Sequence, residues 1–150
     1  MNPAYQGQLD VFCAAYAVIN AMRHINATRL LTCRAILHEA LLDAARDEES
    51  FCALLEQRTD YVDWVDAMLT RLEKQGSLLT ARPFPTHFPG PGAPSPAVLW
   101  DAIADWLRRS ERNAVLLQFV RILYPTEAVI RHWTCCNDVV GDTLMLFDSS

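Results

Sequence analysis

The stretch Gln6-Gly7-Gln8-Leu9-Asp10-Val11-Phe12-Cys13 runs directly into Ala14-Ala15-Tyr16-Ala17-Val18-Ile19-Asn20-Ala21-Met22. Its reading decides the fold. After Cys13 the run has almost no polar face, so as a helix it is a buried one. Asp10 is a candidate N-cap. The helix reaches about His24, where Asn26 and Thr28 break the pattern. Cys13 then stands at the N-terminus, where free N–H groups and the positive end of the helix dipole favour a thiolate over a thiol. The charge of Asp10 opposes that effect. A thiolate is the nucleophilic form of cysteine, and a nearby base would complete the apparatus.

Outward from this stretch, 150 residues suit one domain with a hydrophobic core, and residues 1–150 read as a single unit. A net charge of −5 without a basic cluster argues against nucleic acid as a partner. No apolar stretch has the length of a membrane span, and no basic-then-apolar start marks a signal peptide. The five cysteines, Cys13, Cys33, Cys52, Cys135 and Cys136, are an odd number. With no visible signal, that favours free thiols in a reducing compartment. The cytoplasm meets this condition, and so does the interior of a target cell entered by a dedicated secretion machine. There is no Cys-x-x-Cys pair, and neighbours such as Cys135 and Cys136 point to opposite faces of a strand, so no metal is implied.

Cys33, Ile36, Leu37, Ala40, Leu41 and Ala44 make one apolar stripe at helical spacing, with Thr32 as a candidate cap. A polar break over 47–50 precedes a short third helix at 51–55. Tyr61, Val65, Met68, Leu69 and Leu72 form the face of a fourth helix, between Asp60 as cap and Gly76 as stop. Residues 78–81 read as a short strand. Six of the eight prolines fall within 83–96, which is therefore a loop, a crossover between a helical half and a sheet half. Pro96 opens a fifth helix that ends at Asn113. Residues 114–120 have the pattern of a buried strand. From Val129 to Phe147 the chain reads as two strands with a turn near Gly141-Asp142. Helices first and strands last argue for α+β.

The candidate bases are His24, His38, His87 and His132. His24 ends the first helix, far from Cys13. His38 lies off the apolar stripe of its helix, and His87 sits in the proline loop. His132 starts a strand, a rigid mount facing the central helix. Asp148 ends the partner strand and is the candidate to orient the imidazole. A hairpin centred on Val140 would set His132 directly opposite Asp148. That requires a wide loop over roughly Asp138 to Asp142, because a two-residue turn at Gly141-Asp142 would pair His132 with a position past the chain end. The Cys13 N–H and a side-chain amide, Gln8 or alternatively Gln6, are candidate oxyanion donors.

An upstream glutamine, a cysteine opening a buried helix, and a late His and Asp on two strands resemble the papain-like cysteine peptidase superfamily. The likeness is to small bacterial members: bacteriocin-leader peptidase domains and cysteine-protease-like secreted effectors. It is carried by Gln8 (or Gln6), Cys13, His132-Trp133-Thr134 and Leu146-Phe147-Asp148-Ser149-Ser150. Many members have the glutamine six positions before the cysteine, where this chain has Gly7. Asp148 stands where Asn is commoner, as in the effector and deamidase-like branches. The resemblance implies an α+β fold in which the cysteine-bearing helix packs on a C-terminal antiparallel sheet. It also implies a thiol hydrolase that cleaves a peptide or isopeptide bond in a protein or peptide substrate through a Cys-His-Asp triad, without a cofactor. A bacterial effector or toxin is one setting for it, with an inhibitor or secretion partner left open. A glutamine deamidase or transglutaminase-like effector would use the same residues. From a different class, a papain-like fold kept as a binding module would leave Cys13 as a small buried hydrophobe. Cys33 reads as core, Cys135 and Cys136 as strand residues facing opposite ways, and Trp133 either as a shield over the His–Asp pair or as core.

Overall fold

Nine residues of the first helix, α1 (Cys13–Asn26), are buried, and the other elements are arranged to bury them. The computed structural model describes residues 12–59, 61–76, 80–81, 94–121 and 130–147. The proline loop, apart from Pro94, Ser95 and Pro96, lies outside them. α1 begins at Cys13, so the capping position falls on Phe12, which makes no side-chain cap. Asp10 precedes that position and lies outside the described residues. At the other end Ala27 takes a left-handed conformation, and the Thr28 hydroxyl donates to the Met22 carbonyl at 3.1 Å. The helix therefore runs two residues past His24.

The second helix, α2 (Leu30–Ala44), buries Cys33 and Ala40 and half-buries Ile36, Leu37, Leu41 and Ala44, the expected stripe. It starts after an extended Arg29, so Thr32 lies inside its first turn and does not cap it. The expected polar break at 48–50 is instead the first turn of α3 (Glu48–Leu55). Glu48 and Glu49 suit that position because negative charge is stabilised at a helix start. In α4 (Val62–Lys74), Val65, Met68 and Leu72 face inward, and Gly76 at φ 73° ends the run. Thr80 and Ala81 are not in a strand. The Ala81 N–H instead donates to the Glu73 carboxylate at 2.6 Å.

Ser95 caps α5 (Pro96–Arg108), and its hydroxyl accepts from the Val98 N–H at 3.4 Å. The helix ends at Arg108, short of Asn113, because Asn113 is engaged elsewhere. Its amide donates to the Trp106 carbonyl at 2.7 Å, and the Trp106 indole donates to the Ala114 carbonyl at 3.1 Å. This clamp fixes the helix to the start of β1 (Val115–Arg121). Two strands follow, β2 (Ile130–Val140) and β3 (Thr143–Leu146), in an antiparallel sheet of order β1-β2-β3. The described residues thus form an α+β fold of five helices followed by three strands.

The sheet separates two apolar clusters. On one side, Cys13, Ala14, Ala17, Val18 and Met22 of α1 meet Ala40, Leu54, Tyr61, Val65, Met68, Leu72 and Trp133. On the other, Ile103 and Leu107 of α5 meet Val115 and Cys136. Successive strand residues alternate between these faces. Leu116 packs on the α1 cluster and Leu117 on the α5 cluster. Among the described residues, no helix is long and apolar enough to cross a membrane.

The hairpin corrects one expectation. Val140 pairs with Thr143, so the turn is the tight Gly141-Asp142 pair and not a loop over 138–142. Gly141 at φ 58° supplies the positive dihedral such turns favour. The register then shifts between Cys136 and Asp138, a bulge at Asn137, so that Cys136 pairs with Leu146. The Phe147 N–H continues the ladder to the Cys135 carbonyl at 2.8 Å. In the register that opposes His132 to Asp148, Cys136 would face Leu144, two residues away. A two-residue offset keeps each strand on the same face. Asp148 lies outside the described residues. We expect Gly141→Ala to lower stability by about 1 kcal/mol, since an L side chain resists this dihedral, while Cys13 reactivity is unchanged. Urea unfolding and thiol alkylation of the same samples check this.

Candidate functional site

Cys13 is the first residue of α1 and is 7% exposed. The N–H groups of the first helical turn have no carbonyl one turn earlier to bond. No acidic residue lies in that turn to oppose its partial positive charge. The Cys13 sulfur accepts a hydrogen bond from the Trp133 backbone N–H at 3.5 Å, across 120 residues of chain. That N–H belongs to the peptide linking His132 to Trp133. The fold thus brings the end of α1 against the part of β2 that carries the candidate base. The donated N–H also holds the sulfur in place.

His132 is buried, at 9% exposure. It pairs with Phe119 of β1 in the sheet register, and the two rings meet edge to face with centroids 5.4 Å apart. Trp133 points the other way, into the cluster that contains Cys13. The ring against the imidazole is therefore Phe119, and Trp133 is core. The other histidines stand elsewhere. His24 lies 11 residues along α1 from Cys13, about 16 Å at the helical rise, with its ring against Phe147. His38 is on the exposed side of α2. His87 lies outside the described residues, as do Gln6 and Gln8, so of the expected constellation the structure brings together Cys13 and the His132–Trp133 peptide.

Tyr61 is a neighbour that the periodicity assigned only to a helix face. It stands just before α4 at φ 67°, a conformation uncommon for a bulky residue. Its hydroxyl donates to the Leu54 carbonyl at 2.7 Å, and its ring meets Trp64, which in turn meets Phe12 beside Cys13. Burial first, and then negative charge at Cys13, push the Tyr61 phenol up to about 12. Cys33 is a different kind of thiol. Burial raises it, and the nearby Arg23 only partly opposes this, which fits a core residue. Cys135 and Cys136 are wholly buried, and Cys136 belongs to the α5 side. Among the described residues, no group of three or more His, Cys, Asp or Glu side chains is placed to hold a metal ion.

No protein-family model matches the chain, and no curated protein or solved structure matches it.

The Tyr61 shift has a consequence for stability. The unfolded chain releases this proton near pH 10, and the folded protein holds it to about 12. The stabilisation from the neutral buried phenol is whole below pH 10 and is lost as pH rises through 12. Tyr61→Phe should remove that part of the alkaline loss. Near neutrality it should cost about 1 kcal/mol, from the unpaired Leu54 carbonyl. Urea unfolding of both proteins at about pH 8 and about pH 11 checks this, as a gap that narrows at the higher pH.

Proposed function

We propose that this chain is a papain-like thiol hydrolase acting on a peptide or isopeptide bond. The observation that carries the reading is the bond from the Trp133 N–H to the Cys13 sulfur, because it puts a helix-opening cysteine against the peptide that follows His132. In this reading the Cys13 thiolate attacks the amide carbonyl, and the C–N bond breaks to leave a thioester. His132 takes the thiol proton and delivers it to the departing amine. It then draws a proton from the water that hydrolyses the thioester. Asp148 orients the imidazole. The Cys13 N–H and the amide of Gln8, or of Gln6, stabilise the oxyanion.

Iodoacetamide labelling at mildly acidic pH with peptide mapping tests the nucleophile. Cys13 should react about tenfold or more faster than Cys33, Cys135 and Cys136, and His132→Ala should abolish the difference. Slow and uniform labelling would mean that Cys13 is a packing residue and that the fold serves binding. With a reactive Cys13, mass analysis of treated protein substrates decides the reaction. Two pieces mean hydrolysis of the chain, whereas a gain of about one mass unit on glutamine means deamidation through the same thioester.

A further inference from the structure

Helix α2 is apolar on both sides. Ile36, Leu37, Ala40 and Ala44 pack into the α1 cluster. The same helix carries Leu30, Leu31 and Leu42 at 61%, 78% and 62% exposure. Among the described residues these are the three most exposed large apolar side chains. Single exposed leucines are ordinary, but their gathering on one helix marks an interaction face. Leu31, Ala35, His38 and Leu42 are all exposed and follow one another at steps of four, three and four. At 3.6 residues per turn they fall within about 60° of one another. A stripe this narrow is the seam of a coiled coil, tighter than the face a helix turns to a globular core. Cys33, Ile36, Leu37 and Ala40, which face inward, lie on the opposite side of the helix.

We propose that this stripe is a homodimer seam, in which α2 pairs in parallel with α2 of a second copy of the chain across a two-fold axis. The flanking charges name this occupant. Arg34 and Glu39 are exposed and border the stripe on opposite sides. In a parallel pair, a residue on one flank meets the opposite flank of the other helix five positions further along, where ion pairs set partner and orientation. Arg34 therefore meets the partner's Glu39, and the two-fold axis repeats the pair. Glu39 also accepts from the Gln75 amide at 3.5 Å, which engages one of its two oxygens. An antiparallel pair would bring like flanks together, with Glu39 against the partner's Thr32 and Arg34 against the partner's Leu41, and would gain no ion pair. Across the parallel seam Leu31, Ala35 and Leu42 each meet their own counterpart. So does His38, a polar residue that lowers the stability of the pair while fixing its register. The stripe is only about 16 Å long, so the dimer is small and reversible.

Sedimentation equilibrium of the full chain, from about 1 to about 300 µM, tests this. The wild type should pass reversibly from monomer to dimer across that range. Leu31→Glu combined with Leu42→Glu should weaken association about 30-fold or more. Thermal unfolding at the lowest concentration should be unchanged by the pair, because neither leucine is buried in the monomer. His38→Leu should tighten the dimer about tenfold, since it removes the polar residue from the seam. Arg34→Glu should weaken it about fivefold by setting like charges together, and adding Glu39→Arg should restore it. A wild type that stays monomeric at the highest concentration overturns the proposal, even if the face captures some other protein. A dimer that survives the two glutamates overturns it as well. A dimer that is lost with the glutamates but indifferent to both charge variants is not the parallel pair, and it too overturns the proposal.

Discussion

A helix with no polar face cannot lie on a surface. That constraint on α1 organises the chain. Ala14, Ala15, Val18 and Ile19 are all nearly inaccessible, so apolar surface must close over the helix from more than one direction. Helices α2 and α4 supply one side and the β2 strand supplies another, with Trp133 as its large contact. Small side chains on α1, above all its alanines, let these neighbours approach closely. Cys13 fits this scheme both as a small residue in the core and as the residue where the helix begins. The same burial that makes the helix central brings its first turn against β2.

The sheet stands between this core and a second one. Because strand residues alternate, β2 serves both sides. Trp133 packs with α1, and Cys136 packs with α5. The bulge at Asn137 lets the apolar face continue past a tight turn. Without the extra residue, Cys136 and Val139 would point to opposite faces. With it, both belong to the α5 cluster. The bulge is therefore a packing device, and it also sets which β3 residue stands beside each position of β2.

The pattern of apolar residues made the helices and their inward faces legible. Cys33, Ala40, Val65, Met68 and Leu72 are buried where their spacing placed them. The α+β order was legible too, since helical periods precede strand periods. Boundaries were harder to read. Thr32 and Asp10 look like caps in isolation, but a cap is decided by where backbone dihedrals turn helical, and the starts at Leu30 and Cys13 fall elsewhere. The hairpin shows the limit most clearly. Gly141-Asp142 pointed to a two-residue turn, and the demand that His132 oppose Asp148 pulled the expectation toward a wider loop. Local turn chemistry prevailed, and a single inserted residue took up the register, which no composition signal marks. Cys13 and His132 stood out as candidates from residue type and order. The Trp133 N–H did not, because a backbone donor has no residue type. Phe119 and Tyr61 were hidden for a related reason, since their closeness to His132 and Cys13 depends on pairings across long separations.

The contact between Cys13 and Trp133 closes 120 residues of chain. Bringing the ends of such a segment together costs about 4 kcal/mol in chain entropy, before any constant term. A hydrogen bond to sulfur contributes at most about 1 kcal/mol against it. The bond therefore cannot hold the site together. Burying Val18, Ile19 and Met22 of α1 contributes roughly 1.5–3 kcal/mol each, and Leu72 and Trp133 add to that from the surrounding elements. The core carries the closure, and the sulfur and the His132–Trp133 peptide are placed by it. It follows that substitutions deep in the α1 cluster act on the site even when they touch neither Cys13 nor His132. A substitution that loosens α1 against β2 separates the thiol from the imidazole strand, and one that loosens only α5 leaves that contact in place. Cys13 and Trp133 pack on one face of the sheet, and the next strand residue, His132, meets Phe119 on the other.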